Sequence, residues 1–185
     1  MTREQPKKAE IGIVKKQDIL ENRAKTIFLG IGSNLGNRKK NIEKAKFLLY
    51  QNSIEIILIS SFYETPSWPD PTKPKFINIV LKIKSFYTPK ELLKICKKIE
   101  HQLGRRKGLK NDPRVCDIDI LDFNKEVFKI AKKITLPHIS MHQRNFVLFP
   151  LYEIQKDWFH PIKKKDIKLL ISSLPRKDIT SIKLI

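Results

Sequence analysis

Two aspartates two residues apart, Asp117 and Asp119, interrupt the otherwise apolar run Val115-Cys116-Asp117-Ile118-Asp119-Ile120-Leu121. Side chains along an extended strand alternate between faces, so both carboxylates point one way while Ile118 and Ile120 point the other. Their Cα atoms are then about 6.7 Å apart, close enough for hard divalent cations to be held between them. Aspartate is depleted in strands, so a strand that tolerates two on one face has to be built around them. On pattern alone the pair reads equally as the polar face of an edge strand. The preceding basic stretch, with Arg105, Arg106, Lys107, Lys110 and Arg114, shifts the balance toward magnesium and polyphosphate.

The 185-residue chain is long enough to bury a real core and fits one domain with short extensions. Its longest apolar runs fall far short of a membrane span, and residues 1–25 have no apolar segment of the kind a secretory signal needs. Cys96 and Cys116 are the only cysteines and have no zinc-like spacing, which points to a reducing, cytoplasmic setting. The formal charge of +19 would attract anions, including nucleic acid. Only eight of the 38 basic residues are Arg, however, and Lys is scattered along every segment without a nucleic-acid motif. Such a pattern fits compositional drift as well as it fits a binding surface, and phosphate ligands in general remain favoured.

Residues 1–25 read as a polar extension and 26–185 as the folded domain. Thr26–Gly32 predicts a short buried strand, followed by a turn in which Asn37 caps a helix from Arg38 to Tyr50. Ile54–Glu64 predicts a single β-branched strand. Four prolines exclude regular structure from Thr65–Pro74, a candidate lid carrying Trp68. Phe76–Phe86 alternates as a strand with Phe76, Asn78, Val80 and Lys82 on one face. Thr88, Pro89 and Glu91 form a capping box opening a helix that presents Leu92, Cys96, Ile99 and Leu103 and stops at Gly104. Further helices are expected within Phe146–Ile154 and near Asp166–Ser172. The order of the strongest elements is βαββαβ, an α+β ferredoxin-like sandwich with an antiparallel-dominated sheet.

The turn Gly30-Ile-Gly32-Ser-Asn-Leu-Gly36 lacks the Lys-Ser/Thr of a phosphate-binding loop and misses the dinucleotide spacing by one residue. It reads better as a strand-to-helix turn where backbone approaches something closely. His138, placed after a proline at a segment junction, and Arg144 six residues later are candidates to converge on phosphates.

Six ordered pieces carry a family resemblance: Gly32-Ser-Asn-Leu35, Ser60-Ser-Phe-Tyr-Glu-Thr-Pro66, Phe76-Ile-Asn78, Glu100 with Gly104-Arg105, Pro113-Arg114 through Asp117-Ile-Asp119-Ile120, and Pro137-His138 through Arg144-Asn-Phe146. From about Thr26 to Ile154 the chain resembles the 6-hydroxymethyl-7,8-dihydropterin pyrophosphokinases of folate biosynthesis. The resemblance implies transfer of pyrophosphate from ATP to the pterin hydroxymethyl oxygen, releasing AMP, with two magnesium ions held by Asp117 and Asp119. It implies catalytic roles for Arg105, Arg114, Asp117 and Asp119. Nucleotide contacts map to Glu100, Arg105, Arg114, Ile120, Thr135, His138 and Arg144. The pterin site maps to Gly32, Thr65, Pro66, Trp68, Phe76, Asn78 and Phe146, with the two phenylalanine rings sandwiching the heterocycle.

Phe76 stands where the family often has Tyr, Asn111 where it often has a loop Trp, Ile139 where a Tyr follows the His, and Lys97 where the second helix has a Gln. The expected partners are the pterin and ATP, with no membrane, and the expected state is a monomer. A basic nucleic-acid module on a similar fold, with aromatics on an open sheet face, is the alternative from another class. A third possibility is a decayed member of the family that binds pterin or ATP without turning over, against which every mapped metal and phosphate residue is retained.

Overall fold

A computed structural model describes residues 23–105, 112–130 and 134–185. Residues 1–22 of the expected 1–25 extension, Arg106, Lys107 and Lys110 of the basic stretch, and Asn111 lie outside the described residues. Strand β1 (Lys25–Ser33) is flanked on one side by β4 (Phe76–Ser85) and on the other by β5 (Asp117–Phe123), both antiparallel to it. Strands β2 (Glu55–Ile59) and β3 (Tyr63–Thr65) both pair with β4 along its other edge. If β2 and β3 are counted as one position, the strand order is second, third, first, fourth. With helices α1 (Arg38–Gln51) and α2 (Pro89–Gln102) between strands, this is the expected βαββαβ sandwich.

The β-branched run from Ile54 to Glu64 is not one strand. The register against β4 slips between Ile56 and Leu58, and again between the Ile59–Leu81 and Tyr63–Asn78 pairs. At the second break Ser60 holds Val80, donating its N–H to the Val80 carbonyl and accepting the Val80 N–H on its hydroxyl. Each slip inserts an extra residue, a bulge that propensity cannot reveal.

Local chemistry accounts for the helices. Asn37 Oδ1 accepts the Lys40 N–H at α1, and Thr88 and Glu91 close a complete capping box at α2. Caps of this kind contribute about 1 kcal/mol each. Gly104, at φ +95°, ends α2 in the left-handed region that favours glycine. Both helices pack on the sheet face made by Ile27, Leu29, Ile31, Ile79, Leu81 and Ile83.

The opposite face carries Phe28, Val80 and Leu121. It is covered by α3 (Asn145–Ile154), α4 (Ile167–Ser172) and Trp158. An open aromatic sheet face, the requirement of the nucleic-acid alternative, is therefore filled here. Sequence periodicity does not reveal the hairpin of β6 (Phe128–Ile130) with β7 (Ile134–Leu136), the β8 (Phe159–His160) and β9 (Lys165–Asp166) pair, helix α5 (Arg176–Ser181), or β10 (Lys183–Leu184) on the edge of β3, because strands of two or three residues and a six-residue helix are too short to show a period. No helix among the described residues is long and apolar enough to cross a membrane. Cys96 and Cys116 are both buried, and burial pushes each thiol up to about 12.

Two polar ties fasten the covering layer. Ser61 donates its N–H and hydroxyl to the Glu153 carboxylate at 3.0 and 2.7 Å, and Tyr63 donates its hydroxyl at 2.9 Å. Burial, reinforced by that bond, pushes Tyr63 up to about 12. Deeper inside, Trp158 Nε1 donates to Asp122 Oδ2 at 2.7 Å, and both side chains are almost fully buried.

Burial raises the Asp122 pKa despite the Trp158 bond, so the folded state holds that proton more tightly than the unfolded chain. Its contribution to stability is full below the unfolded carboxylate value and is lost as pH rises through the folded one. Trp158→Phe removes the donor that favours the charged form. It should cost about 1–3 kcal/mol at neutral pH and less below about pH 4, measured by urea unfolding at both pH values.

Candidate active site

Cross-strand register brings the sequence-distant candidates into rows. Gly32 of β1 lies between Asn78 of β4 and Asp117 of β5, and Gly30 lies between Val80 and Asp119. The alternation that points Asp117 and Asp119 to one face points Gly30 and Gly32 to the same face. Two bare positions on the central strand leave a recess in the sheet where the strand ends in the Gly-Ser-Asn-Leu turn. A Cβ on Gly32 would lie 2.7 Å from Asn78 Oδ1 and 3.3 Å from Phe76 Cδ1. The turn is thus a close approach of backbone to neighbouring side chains.

The recess is a cavity of about 270 Å³. Thirteen of the sixteen residues expected at the site line it: Gly32, Thr65, Pro66, Trp68, Phe76, Asn78, Arg105, Arg114, Asp117, Asp119, His138, Arg144 and Phe146. Three do not. Ile120 points into the opposite core, Thr135 is exposed on β7, and Glu100 is buried beneath the site. Lys97, singled out in the sequence only as a departure, lines the wall.

Asn34 locks the turn. Its Oδ1 accepts the Arg114 N–H at 2.7 Å, its N–H reaches the Arg114 carbonyl at 3.2 Å, and its amide donates to Pro74 at 3.1 Å. One side chain thus ties β1 to both loops flanking the cavity. The Gly-Ser-Asn-Leu motif contained this residue, but nothing local assigns its partners.

The two aspartates have different surroundings. Arg105 Nη1 meets Asp117 Oδ1 at 2.6 Å and Arg114 Nη1 meets Oδ2 at 3.0 Å. Burial alone would raise the Asp117 carboxyl, but Arg114, then Arg105 and Lys97, hold it below the usual range. Among the described residues, the cationic neighbours of Asp119 are Arg144 Nη1 at 3.6 Å and His138 Nε2 at 3.9 Å. Burial lowers the His138 pKa in spite of Asp119. Its Nδ1 accepts the Ser140 N–H at 3.3 Å, so the neutral ring carries its hydrogen on Nε2, toward Asp119.

Aromatic groups complete the walls. The Arg144 guanidinium lies 5.2 Å from the Trp68 ring and 5.5 Å from Phe146, and Arg114 lies 5.9 Å from Phe76. Arg144 Nε is buried without a hydrogen-bond acceptor among the described residues. Carboxylate oxygens are the donors hard divalent cations take, and an orphaned guanidinium N–H beside them suits an anion. The residues present therefore fit magnesium with a polyphosphate. No group of three or more metal-ligating side chains occurs among the described residues, so most ligands would have to come from substrate and water.

A cavity with paired carboxylates, four cationic side chains and aromatic rings in its wall has the chemistry to receive an anionic and a flat group together, as a group-transfer enzyme needs. Residues 28–156 match the sequence model of the 7,8-dihydro-6-hydroxymethylpterin-pyrophosphokinase (HPPK) family, and the chain belongs to that family. It is 41% identical over 143 residues to the 2-amino-4-hydroxy-6-hydroxymethyldihydropteridine pyrophosphokinase of Aquifex aeolicus (strain VF5), covering 77% of this chain and 88% of the relative. The Bacillus subtilis (strain 168) protein of the same name is 37% identical over 128 residues, covering 69% of this chain and 76% of its own. The crystal structure of wild-type Plasmodium falciparum HPPK-DHPS superposes with a TM-score of 0.67 at 17% identity. That match covers 89% of this chain and 45% of the longer one, and supports the fold alone. Family and relatives make this chain a pyrophosphokinase of folate biosynthesis.

Gly32→Ala tests the recess. Asn78 is held by its own bond to Thr65 Oγ1 at 3.1 Å and cannot withdraw freely from the new methyl group. The substitution should lower stability by about 1–3 kcal/mol, read as an earlier urea midpoint at unchanged m.

Proposed function

We propose that the cavity binds ATP and 6-hydroxymethyl-7,8-dihydropterin side by side and transfers pyrophosphate to the hydroxymethyl oxygen. The new bond forms from that oxygen to the β-phosphorus as the bond from the same phosphorus to the AMP oxygen breaks. The observation that carries the reading is the shared face of Asp117, Asp119, Gly32 and Asn78, which sets a metal-type carboxylate pair directly beside an aromatic slot.

Phe76 and Phe146 supply ring faces for the flat heterocycle. Asn78 donates to Thr65, which leaves its Oδ1 over the Gly32 backbone as an acceptor for an N–H at the pterin edge. Gly32, Thr65, Pro66 and Trp68 shape the rest of that slot. Asp117 and Asp119 would hold two magnesium ions, which supply charge neutralisation on the triphosphate and a lowered pKa at the substrate hydroxyl. Arg105, Arg114, Arg144 and the Nε2–H of His138 present donors to phosphate oxygens, where fixed charge stabilises a transition state better than mobile water does. Glu100, Ile120 and Thr135, expected near the nucleotide, do not line the cavity, and a role for them in contact with ATP draws no support from it.

Incubation with ATP, magnesium and the hydroxymethyl dihydropterin should yield AMP, and EDTA should abolish it. ADP as the only nucleotide product would overturn the reading. Asp117→Asn should lower kcat at least about 100-fold. Asp119→Ala should also abolish turnover yet leave the pterin stacked in the slot, seen as a retained change in pterin fluorescence. Wild-type turnover in Asp119→Ala would refute the metal placement.

A further inference from the structure

Glu100 is the most deeply buried acid near the site and takes no part in lining it. It is 1% exposed and receives three donors: the Ile118 N–H at 2.8 Å and Lys97 Nζ at 2.8 Å on Oε1, and Arg105 Nη1 at 2.6 Å on Oε2. The same Arg105 nitrogen stands 2.6 Å from Asp117 Oδ1. One guanidinium nitrogen therefore bridges a buried carboxylate and a carboxylate of the cavity. With Arg114 on Oδ2, both Asp117 oxygens face arginine, whereas Asp119 keeps its cationic neighbours at 3.6 Å or more.

Arg105 offers Asp117 only the one nitrogen it also gives Glu100, so the bidentate pairing that holds a guanidinium most strongly to a lone carboxylate is not made. Any divalent ion reaching Asp117 must displace Arg105 from Oδ1, and the ease of doing so depends on what else holds that arginine. We propose that Glu100 is a positioning residue for the metal site: its charge competes for Arg105, keeps the guanidinium from closing bidentate on Asp117, and so leaves that carboxylate easier for metal to reach. The inference rests on Asp117 being a metal ligand, as proposed above. Geometry favours it over a purely structural role. The Arg105 backbone is already fixed by its N–H to the Glu100 carbonyl at 3.0 Å, so the side-chain pairing is not needed to place the residue. In Glu100→Gln the amide oxygen still accepts from Ile118, but the charge that competes for Arg105 is gone.

The test is a double-mutant cycle on the full chain without nucleotide, with free Mn²⁺ counted by electron paramagnetic resonance. Glu100→Gln should weaken Mn²⁺ binding about three- to tenfold, and Arg105→Gln should strengthen it by a similar factor. Adding Glu100→Gln to Arg105→Gln should change nothing further. Loss of a nearby negative charge alone would weaken Mn²⁺ equally in both backgrounds, and that result would overturn the proposal. So would an Arg105→Gln protein that binds Mn²⁺ no better than wild type. Should Glu100→Gln fail to fold, Glu100→Asp keeps the charge and should bind Mn²⁺ within about twofold of wild type. AMP formation by the wild type is scored separately. AMP with no coupling in the cycle sinks this inference alone, and coupling without AMP sinks the functional reading alone.

Discussion

The site exists because the central strand of the sheet carries no side chains where it passes between Asn78 and Asp117. Gly30 and Gly32 leave bare backbone at the floor, with Leu121 close against Gly30. Register hangs Phe76 and Asn78 of β4 and the two aspartates of β5 around that gap, helix α3 brings Phe146, and the connecting segments bring Trp68, Arg105, Arg114, His138 and Arg144. The opposite face of the same three strands is a continuous apolar layer under α1 and α2. Rigidity on one side is what permits an empty space on the other, since a recess in a close-packed protein persists only when its walls are held from behind.

Charge is arranged around the gap in the same economical way. Arginines and a lysine converge on three carboxylates, two in the cavity and one below it, so the cluster is nearly neutral before any ligand arrives. Ion pairs this enclosed add little to stability, because desolvation offsets most of the attraction. Their value lies in fixing guanidinium groups where phosphate oxygens would be received.

Much of this was legible in the chain. The period-two run around Asp117 predicted the shared face, the Thr88 box placed α2, and Asn37 placed α1, since each depends on neighbours within a few residues. What the chain did not show was non-local. The run from Ile54 to Glu64 looks like one strand until β4 imposes two slips of register. Glu100 carried a motif, but only the fold shows that its carboxylate faces β5 and not the cavity. Ile120 and Thr135 likewise have side chains aimed into the core and toward solvent. Lys97 looked like a mere substitution until α2 turned it toward the wall.

The Glu153 carboxylate, gripped by Ser61 and Tyr63, ties together two segments that each lead to an aromatic residue of the cavity wall. Helix α3 holds one aromatic jaw, Phe146, and the strand beginning at Tyr63 runs directly into the segment bearing Trp68. The tether between the segments that carry Phe146 and Trp68 therefore sits several residues away from either ring, outside the lining of the cavity.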